Sequence, residues 1–549
     1  MADDDRGSLA VTRRDLLKLG VAGLGSAITV RDLVAPAPVA AQTPKRGGVF
    51  RFPGFDPPNF DPHQNVHWWT FIYLSLTHSS LLRHKAGPGV TPGTLPVEGD
   101  LAESWTQPND TTYEFKLRKG VRWHNKPPVS GRELTAEDVK YTYERAMSLK
   151  GNPNRAQVDE IERVEALDRY TVRFTTKEPF AWFLDSAALA PILPREAADK
   201  DGMFKKPESV IGTGPWMLER YEPNVRLTWV RHPDYFLGGL PNADGVEASI
   251  ESDAASRLAR WLGGQFDFGG GPQTVVRRQD LETVRKRKPN LQTAEFVWMI
   301  ASFAAMKLDQ EPFRDVRVRR AVALSTNLKE VLAVSPLALG QGVPVTAVPA
   351  ALTEWAIPID QLTPQGRRLY EYDPAAAARL LAEAGHPRGV KVPFETASFG
   401  SDWMDAVQVY VRGWKAGGID TELKVKETGA FVSSAMLGRF ERMMLGVRGG
   451  QLYPDPYLGG MHLPGQRPNS SGVNDPKLTE MIRAQRRTFD AARRRDIVWD
   501  IQRHCAEQAY YVYGPAARVV AGWEPYVRNY APNLGNDVGG RLMAAWLDR

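Results

Sequence analysis

The 549-residue sequence has a single cysteine, Cys505, so no disulfide can form within the chain. That is sparse for an oxidising compartment, where disulfides persist. Beyond the N-terminal segment no run of about 18 apolar residues occurs, which excludes a spanning helix in the remainder. Neither sign of charge dominates: 70 Lys and Arg against 64 Asp and Glu give a net +6. Over this length such an excess implies neither nucleic acid nor a membrane surface as partner. The basic clusters, Arg277-Arg278 with Arg285 to Lys288 and Arg493-Arg494-Arg495, have Asp280, Glu282 and Asp496 in or beside them. They read as solvated helix faces.

Catalytic motifs are equally missing. The sequence has no HExxH, no GxSxG, no Walker-type phosphate loop and no CxxC pair. The run Gly269-Gly270-Gly271-Pro272 lacks the strand–GxGxxG–helix context of a dinucleotide site. With nine histidines and one cysteine, the best metal-ligating pair is His63 and His67, with His78 and His84 downstream. On a helix, His63 and His67 would share one face. Pro62 argues for a helix start or loop instead, and a third ligand is not evident. No catalytic residue, metal or cofactor is expected. Cys505, among Ile501, His504 and Glu507, reads as a packed small hydrophobe and not a nucleophile.

What is present begins with an export signal over residues 1–41. Thr12-Arg13-Arg14-Asp15-Leu16-Leu17-Lys18 is a twin-arginine pattern, followed by a mildly apolar stretch from Leu19 to Val30. Val39-Ala40-Ala41 supplies small residues for cleavage, placing the mature start at Gln42. Twin-arginine export carries proteins already folded in a reducing cytoplasm, which fits the near absence of cysteine. No cysteine follows the signal to take a lipid anchor, so a free periplasmic protein is expected.

The rest of the chain alternates strand-like and helix-like segments. Tyr113 to Arg118, Thr171 to Phe174 and Val225 to Arg231 alternate apolar and polar residues, as half-buried strands do. Thr135-Ala136-Glu137-Asp138 opens a helix with a capping box, and Val139, Tyr143, Ala146 and Met147 recur at helical spacing. Asp373-Pro374 opens another that ends at Gly385. Aromatic content is high, with 15 Trp, 17 Tyr and 21 Phe. Trp68-Trp69, Trp123, Trp298 and Trp403 fall off regular core periods, and as a set they favour a ligand cleft.

The order of several motifs carries a resemblance. Leu101-Ala102-Glu103-Ser104-Trp105 is followed by Tyr113 to His124, then Leu134-Thr135-Ala136-Glu137-Asp138-Val139. Ile211-Gly212-Thr213-Gly214-Pro215-Trp216, Arg231-His232-Pro233-Asp234-Tyr235-Phe236 and Phe313 to Ala321 come next. Tyr372 to Gly385, Gly417-Gly418-Ile419-Asp420 and Tyr453-Pro454-Asp455-Pro456 complete the series. Read together, these resemble the family 5 extracellular solute-binding proteins, the group with the dipeptide-, oligopeptide- and nickel-binding proteins of bacterial ABC importers.

The resemblance implies an α/β, two-lobed periplasmic binding protein fold, type II-like, with an extra inserted subdomain, closing on a central cleft. Lobe I would be discontinuous, comprising residues 43–83, 207–305 and 510–549, with an inserted subdomain at 84–206 and lobe II at 306–509. Gly212 and Gly214 would supply backbone angles closed to other residues at a lobe crossover. The implied partners are a small-molecule solute and a membrane permease with its ATPase, with the binding protein a monomer.

Peptide-binding members are expected to hold the ligand amine with an aspartate just before the Tyr-Pro-Asp-Pro turn. This sequence has Leu452 there, so binding of ordinary peptides through a free N-terminus is not expected. Asp455, between two prolines, is expected to shape the turn, and Tyr453 belongs to the same candidate wall. Arg448 could pair with an acidic ligand group, or be a surface arginine. Trp403 would lie on a cleft-lining loop with Asp402 as an alternative carboxylate, and Trp298 in a strand from Glu295 to Ala301 that approaches the cleft. Peptides, nickel or a metal chelate as solute, and presentation to a chemoreceptor, remain the alternative readings.

Overall fold

The computed structural model describes residues 43–269, 276–335, 338–399 and 401–549. The export signal with Gln42, Gly270 to Pro272 of the glycine run, and Gly400 lie outside the described residues. Among the described residues no helix is long and apolar enough to cross a membrane.

The alternating segments become strands. Thr112–Leu117 and Thr171–Thr176 pair antiparallel with Phe115 opposite Val172. Flanked by Ala102–Asn109 and Ile161–Asp168, they form a four-stranded antiparallel sheet. Helix Ala136–Ser148 covers it, started by the expected capping box: the Thr135 amide donates to Asp138 Oδ2 at 2.9 Å. Its apolar stripe is buried at Val139, Tyr143 and Ala146, and Tyr143 meets Phe174 edge-on at 4.7 Å.

A second four-stranded sheet sets Val49–Gly54 parallel to Gly245–Ile250, then Arg226–Arg231 and Trp216–Glu222 antiparallel. Helix Trp68–Thr77 buries Trp69, Ile72, Tyr73 and Leu76 against it, with Tyr73 5.3 Å from Trp229. The short helix Val538–Met543 shares that core.

The third sheet has six strands in the order Gly342–Val343, Tyr511–Trp523, Gln292–Met306, Met443–Arg448, Val390–Ala397 and Ile419–Lys426. Two of them are long, 15 residues for Gln292–Met306 and 13 for Tyr511–Trp523, so one sheet joins segments expected in different lobes. Helix Pro374–Glu383 starts as expected: Asp373 accepts from the Ala376 amide at 2.9 Å, Pro374 occupies the first turn, and Gly385 exits at φ +92°. The mixed α/β reading holds.

Three expectations are corrected. Neither Gly212 nor Gly214 has a positive φ. What requires glycine is close approach to the end of helix Trp68–Thr77: a Cβ on Gly212 would lie 1.8 Å from the Thr77 carbonyl oxygen, and one on Gly214 2.6 Å from the Thr77 carbonyl carbon. The basic run at 493–495 is not wholly solvated. On helix Ala491–Gln508 the period turns Arg494 inward, where it is buried with its guanidinium 4.4 Å from the Trp182 ring and 5.3 Å from Trp355. Lys288 likewise forms a largely enclosed pair with Glu524 at 2.5 Å.

Cys505 is buried in that same helix, and burial pushes its thiol pKa up. The folded protein is therefore expected to resist a water-soluble maleimide, adding one equivalent only in denaturant. Intact-mass spectrometry checks this.

Candidate functional site

Three stretches of chain supply one wall of a cavity. Helix Trp68–Thr77 ends at His78, and the chain turns through Ser79 and Ser80 into strand Leu82–His84. That strand pairs with Val97–Gly99, setting Leu82 opposite Gly99 and delivering Asp100 to the turn, where its Oδ2 accepts from the Ser80 amide at 3.0 Å. Asp537 caps helix Val538–Met543, Oδ1 accepting from the Gly540 amide at 2.6 Å. Residues 447–452, leaving strand Met443–Arg448, face this wall, and parts of 154–157 and 188–191 close the side. The cavity volume is about 340 Å³.

The cavity is polar in an unusual way. Six residues that line it each carry a buried polar atom with no hydrogen-bond partner in the protein: Trp68 Nε1, His78 Nε2, His84 Nε2, Asp100 Oδ1, Arg448 Nε and Asn536 Oδ1. Buried polar atoms are ordinarily paired, so such a cluster sets these residues apart from the surrounding core.

Charge points the same way. Burial raises Asp100 to about 6, although Arg83 and the Ser80 amide pull it down, and Asp537 adds to the rise. Asp537 is also raised, first by its enclosure, against the Gly540 amide, Arg541 and Arg83. Arg83 lies between its partner Glu98, at 2.9 Å, and Asp100, at 3.9 Å. Burial lowers His78 to about 3 and His84 to about 4, so both are neutral. Arg448 is lowered by burial, its Nη2 donating to the Pro456 carbonyl at 2.8 Å and its guanidinium 5.5 Å from the Tyr457 ring.

Of the residues singled out from sequence, Arg448 and Leu452 line this cavity. Leu452 is buried and packs against Gly535, where a Cβ would come within 2.8 Å. Trp298 lines an adjoining cavity of about 40 Å³ and packs 6.2 Å from Trp68, which borders both. Tyr453 is buried behind the wall, stacked 6.0 Å from Trp182. Trp403 stands not on a loop but in helix Ser401–Ala416, its indole N–H donating to Thr396 Oγ1 at 3.2 Å. Neither it nor Asp402, in the same first turn, lines the cavity. Asp455 is committed elsewhere, to Arg486 at 2.7 Å.

The histidine pair is not a metal site. No helix holds His63, whose Nδ1 accepts from Arg145 at 2.6 Å beside the buried Arg145–Asp61 ion pair. His67 precedes helix Trp68–Thr77 and is exposed. Among the described residues no group of three or more His, Cys, Asp or Glu side chains is placed to hold a metal ion.

Sequence reasoning missed Arg83, Asp100, Asn536 and Asp537 and named His78 only as a metal candidate. One signal was there: Asp100 stands immediately before Leu101-Ala102-Glu103-Ser104-Trp105.

A family model described as the bacterial extracellular solute-binding proteins, family 5 middle, matches residues 96–469. Di/tripeptide-binding protein 2 of Pseudomonas aeruginosa is 30% identical over 492 residues, covering 82% of this chain and 86% of that relative. Among solved structures, the periplasmic binding protein DppA from Helicobacter pylori in complex with the peptide STSA has a TM-score of 0.76 at 24% identity, covering 92% of this chain and 99% of that one. The binding protein AgaA from A. tumefaciens R10, in complex with agropinic acid, has a TM-score of 0.74 at 20% identity, with coverage of 91% and 99%. The structural likenesses, at these identities, show a shared fold.

Proposed function

The chain belongs to the bacterial extracellular solute-binding proteins of family 5, two-lobed α/β proteins that bind and do not catalyse, and from that premise we propose that it captures a small organic solute in the 340 Å³ cavity and hands it to an ABC permease and its ATPase. The observation that carries the reading is one cavity of about 340 Å³ lined by the charged side chains of Arg83, Asp100, Arg448 and Asp537. Its walls draw on residues from 43–83, 207–305 and 510–549, expected as lobe I, from 84–206, expected as the insert, and from 306–509, expected as lobe II. The long strands Gln292–Met306 and Tyr511–Trp523 reach the boundary with lobe II at Met306 and Tyr511, and the cleft closes about these two crossings. The protein acts as a monomer in the periplasm, reached by the twin-arginine route.

The volume lies near the lower end of the roughly 300–1,000 Å³ of small-molecule pockets. It suits a solute of dipeptide size better than a long peptide. The name of the P. aeruginosa relative and the acid bound by AgaA both support solutes of that scale. Leu452 gives a ligand amine no carboxylate on its wall, and burying an ammonium there unpaired would cost several kcal/mol. The metal-chelate reading loses its support, since His63 is already engaged by Arg145.

A thermal-shift screen of residues 42–549 tests this, using dipeptides, amine-free acids, sugars and divalent metals. A solute at 100 times its dissociation constant adds roughly 2.7 kcal/mol of stability. At least one organic class is expected to stabilise the protein, and Ala188→Trp, which fills the cavity side, should abolish that shift. Stabilisation by metals alone, or undiminished binding by the Trp variant, would refute the reading.

A further inference from the structure

The geometry points to a latch outside the cavity: residues 177–187 of the expected insert plug into a socket on the expected lobe II, and this plug holds the cleft closed whether or not a solute is present. The inference rests on the lobe division above and goes beyond solute capture to what governs the closed state.

The plug is anchored on its own side of the boundary. Strand Thr171–Thr176 runs out into Lys177 to Ala181, and the short helix Phe183–Ala187 follows. Phe183 stacks 4.4 Å from the Tyr113 ring, whose hydroxyl donates to the Phe180 carbonyl at 2.9 Å. Ser186 Oγ donates to the Gln157 carbonyl at 2.7 Å. Both flanks of Trp182 are thereby tied to the insert.

The socket is likewise complete without the plug. Asp455 joins helix Asp455–His462 to helix Pro476–Arg487, accepting from Nε and Nη2 of Arg486 and from the Gln485 amide. In the first turn of helix Ala491–Gln508, Arg494 Nη1 donates to the Thr488 carbonyl at 2.9 Å. Trp355 and Tyr453 supply the aromatic walls, and every one of these residues belongs to 306–509.

Between these two anchored halves the joint is compact. Trp182 is 1% exposed, its ring 4.6 Å from Trp355, 6.0 Å from Tyr453 and 4.4 Å from the Arg494 guanidinium. Its indole N–H donates to Gln485 Oε1 at 2.5 Å. The Ala181 amide donates to the Arg486 carbonyl at 2.7 Å, and Arg486 Nη1 to Glu160 at 2.6 Å. At the rim, Arg487 donates to Glu178 at 2.9 Å, both side chains being about half exposed. The donors and acceptors of the joint can all turn to water on separation, since each is a side chain or a loop amide and none belongs to a shared strand or helix. Undocking therefore uncovers one aromatic ring and breaks a few polar contacts without unfolding either half, which is what a reversible closure requires.

The chain itself couples the latch to the cavity. Helix Phe183–Ala187 leads straight into Ala188, Leu189 and Pro191, which line the cavity. The wall at 447–452 leads straight into Tyr453 and, two residues on, Asp455. Plug and socket are thus the continuations of two cavity walls, so the docked latch and a solute that bridges those walls favour the same state.

The test is a distance measurement between spin labels on the mature chain, residues 42–549, with no solute added. One pair of labels sits at Leu167→Cys in the insert and Leu437→Cys in lobe II, and a second at Val225→Cys in lobe I and Leu437→Cys, all three positions being exposed. Cys505 is buried and stays unlabelled in the folded protein. With the latch intact, each pair should show one predominant short distance. Glu178→Arg and Arg487→Glu should each raise the long-distance fraction at least about threefold, and the double exchange should bring it back. Trp182→Ala should raise it at least about tenfold. If that variant does not fold, the charge exchange at the half-exposed rim decides, because it leaves both cores untouched. A predominant long distance with the latch intact, or an unchanged distribution in the folded charge-reversal variants, would overturn the proposal. Neither result bears on solute capture itself, which the thermal-shift screen decides separately.

Discussion

Gly212→Ala is expected to destabilise the protein by at least about 3 kcal/mol, or to leave it insoluble. The added methyl would lie 1.8 Å from the Thr77 carbonyl oxygen, 2.6 Å from its carbon and 2.9 Å from His78 Cα, all backbone. No side chain can rotate away, so either helix Trp68–Thr77 or the 211–215 turn must move. The turn is locked on both sides: the Gly214 amide donates to Thr77 O at 2.9 Å, and the Gly212 amide donates to His124 Nδ1 at 3.2 Å. His124 in return donates its own amide to Gly212 O at 2.8 Å. Because Thr77 orients His78, the damage would also reach the cavity. Gly238→Ala is the control, since a Cβ there meets nothing within 4 Å and the backbone angle is unstrained, so a change within about 0.5 kcal/mol is expected. Thermal melting of the two variants decides the matter; equal melting temperatures would mean the crossover tolerates displacement.

Arg486→Met should cost about 3–5 kcal/mol, the range found when one member of a buried ion pair is removed. Arg486 Nε and Nη2 hold the two oxygens of Asp455 at 2.7 and 2.9 Å, while Nη1 reaches Glu160 at 2.6 Å. The Asp455 side chain is 7% exposed, so losing its guanidinium leaves a carboxylate with only the Gln485 amide at 2.7 Å. Three parts of the chain meet at this point: helix Asp455–His462, helix Pro476–Arg487, and the start of strand Ile161–Asp168. The double replacement Asp455→Leu with Arg486→Met should recover much of the loss, because the penalty comes from the orphaned charge and not from the absent attraction. Denaturant melts of the single and double variants measure this. If the double variant is no better than the single one, the ion pair itself supplies the stability.

These two sites show what kind of information the sequence carried. Its proline and aspartate signals were read correctly where the physics is local. Asp373 accepts from an amide three residues on, and Thr135 with Asp138 makes a reciprocal cap, because a side chain can reach only as far as the next turn. Strands at 112–117, 171–176 and 226–231 were legible because a half-buried strand must alternate. The Gly-Thr-Gly-Pro turn was legible as a feature but not in its cause, which lies in a carbonyl far away in sequence.

Arg494 and Trp403 mark the limit of pattern reading. Each sits on a helix whose period says that one face is covered, without saying by what. Trp182 and Trp355 cover Arg494, and Trp403 is turned to Thr396 instead of to a ligand. By itself the sequence determined the α/β class, the starts of the helices at Thr135 and Asp373 and the family motifs. The tertiary structure alone decided that His78, Asp100, Asn536 and Asp537 line one cavity with Arg448. Hydrophobic periodicity records which side of an element leaves water, but the choice of which buried sides meet is made by the packing of whole sheets and helices.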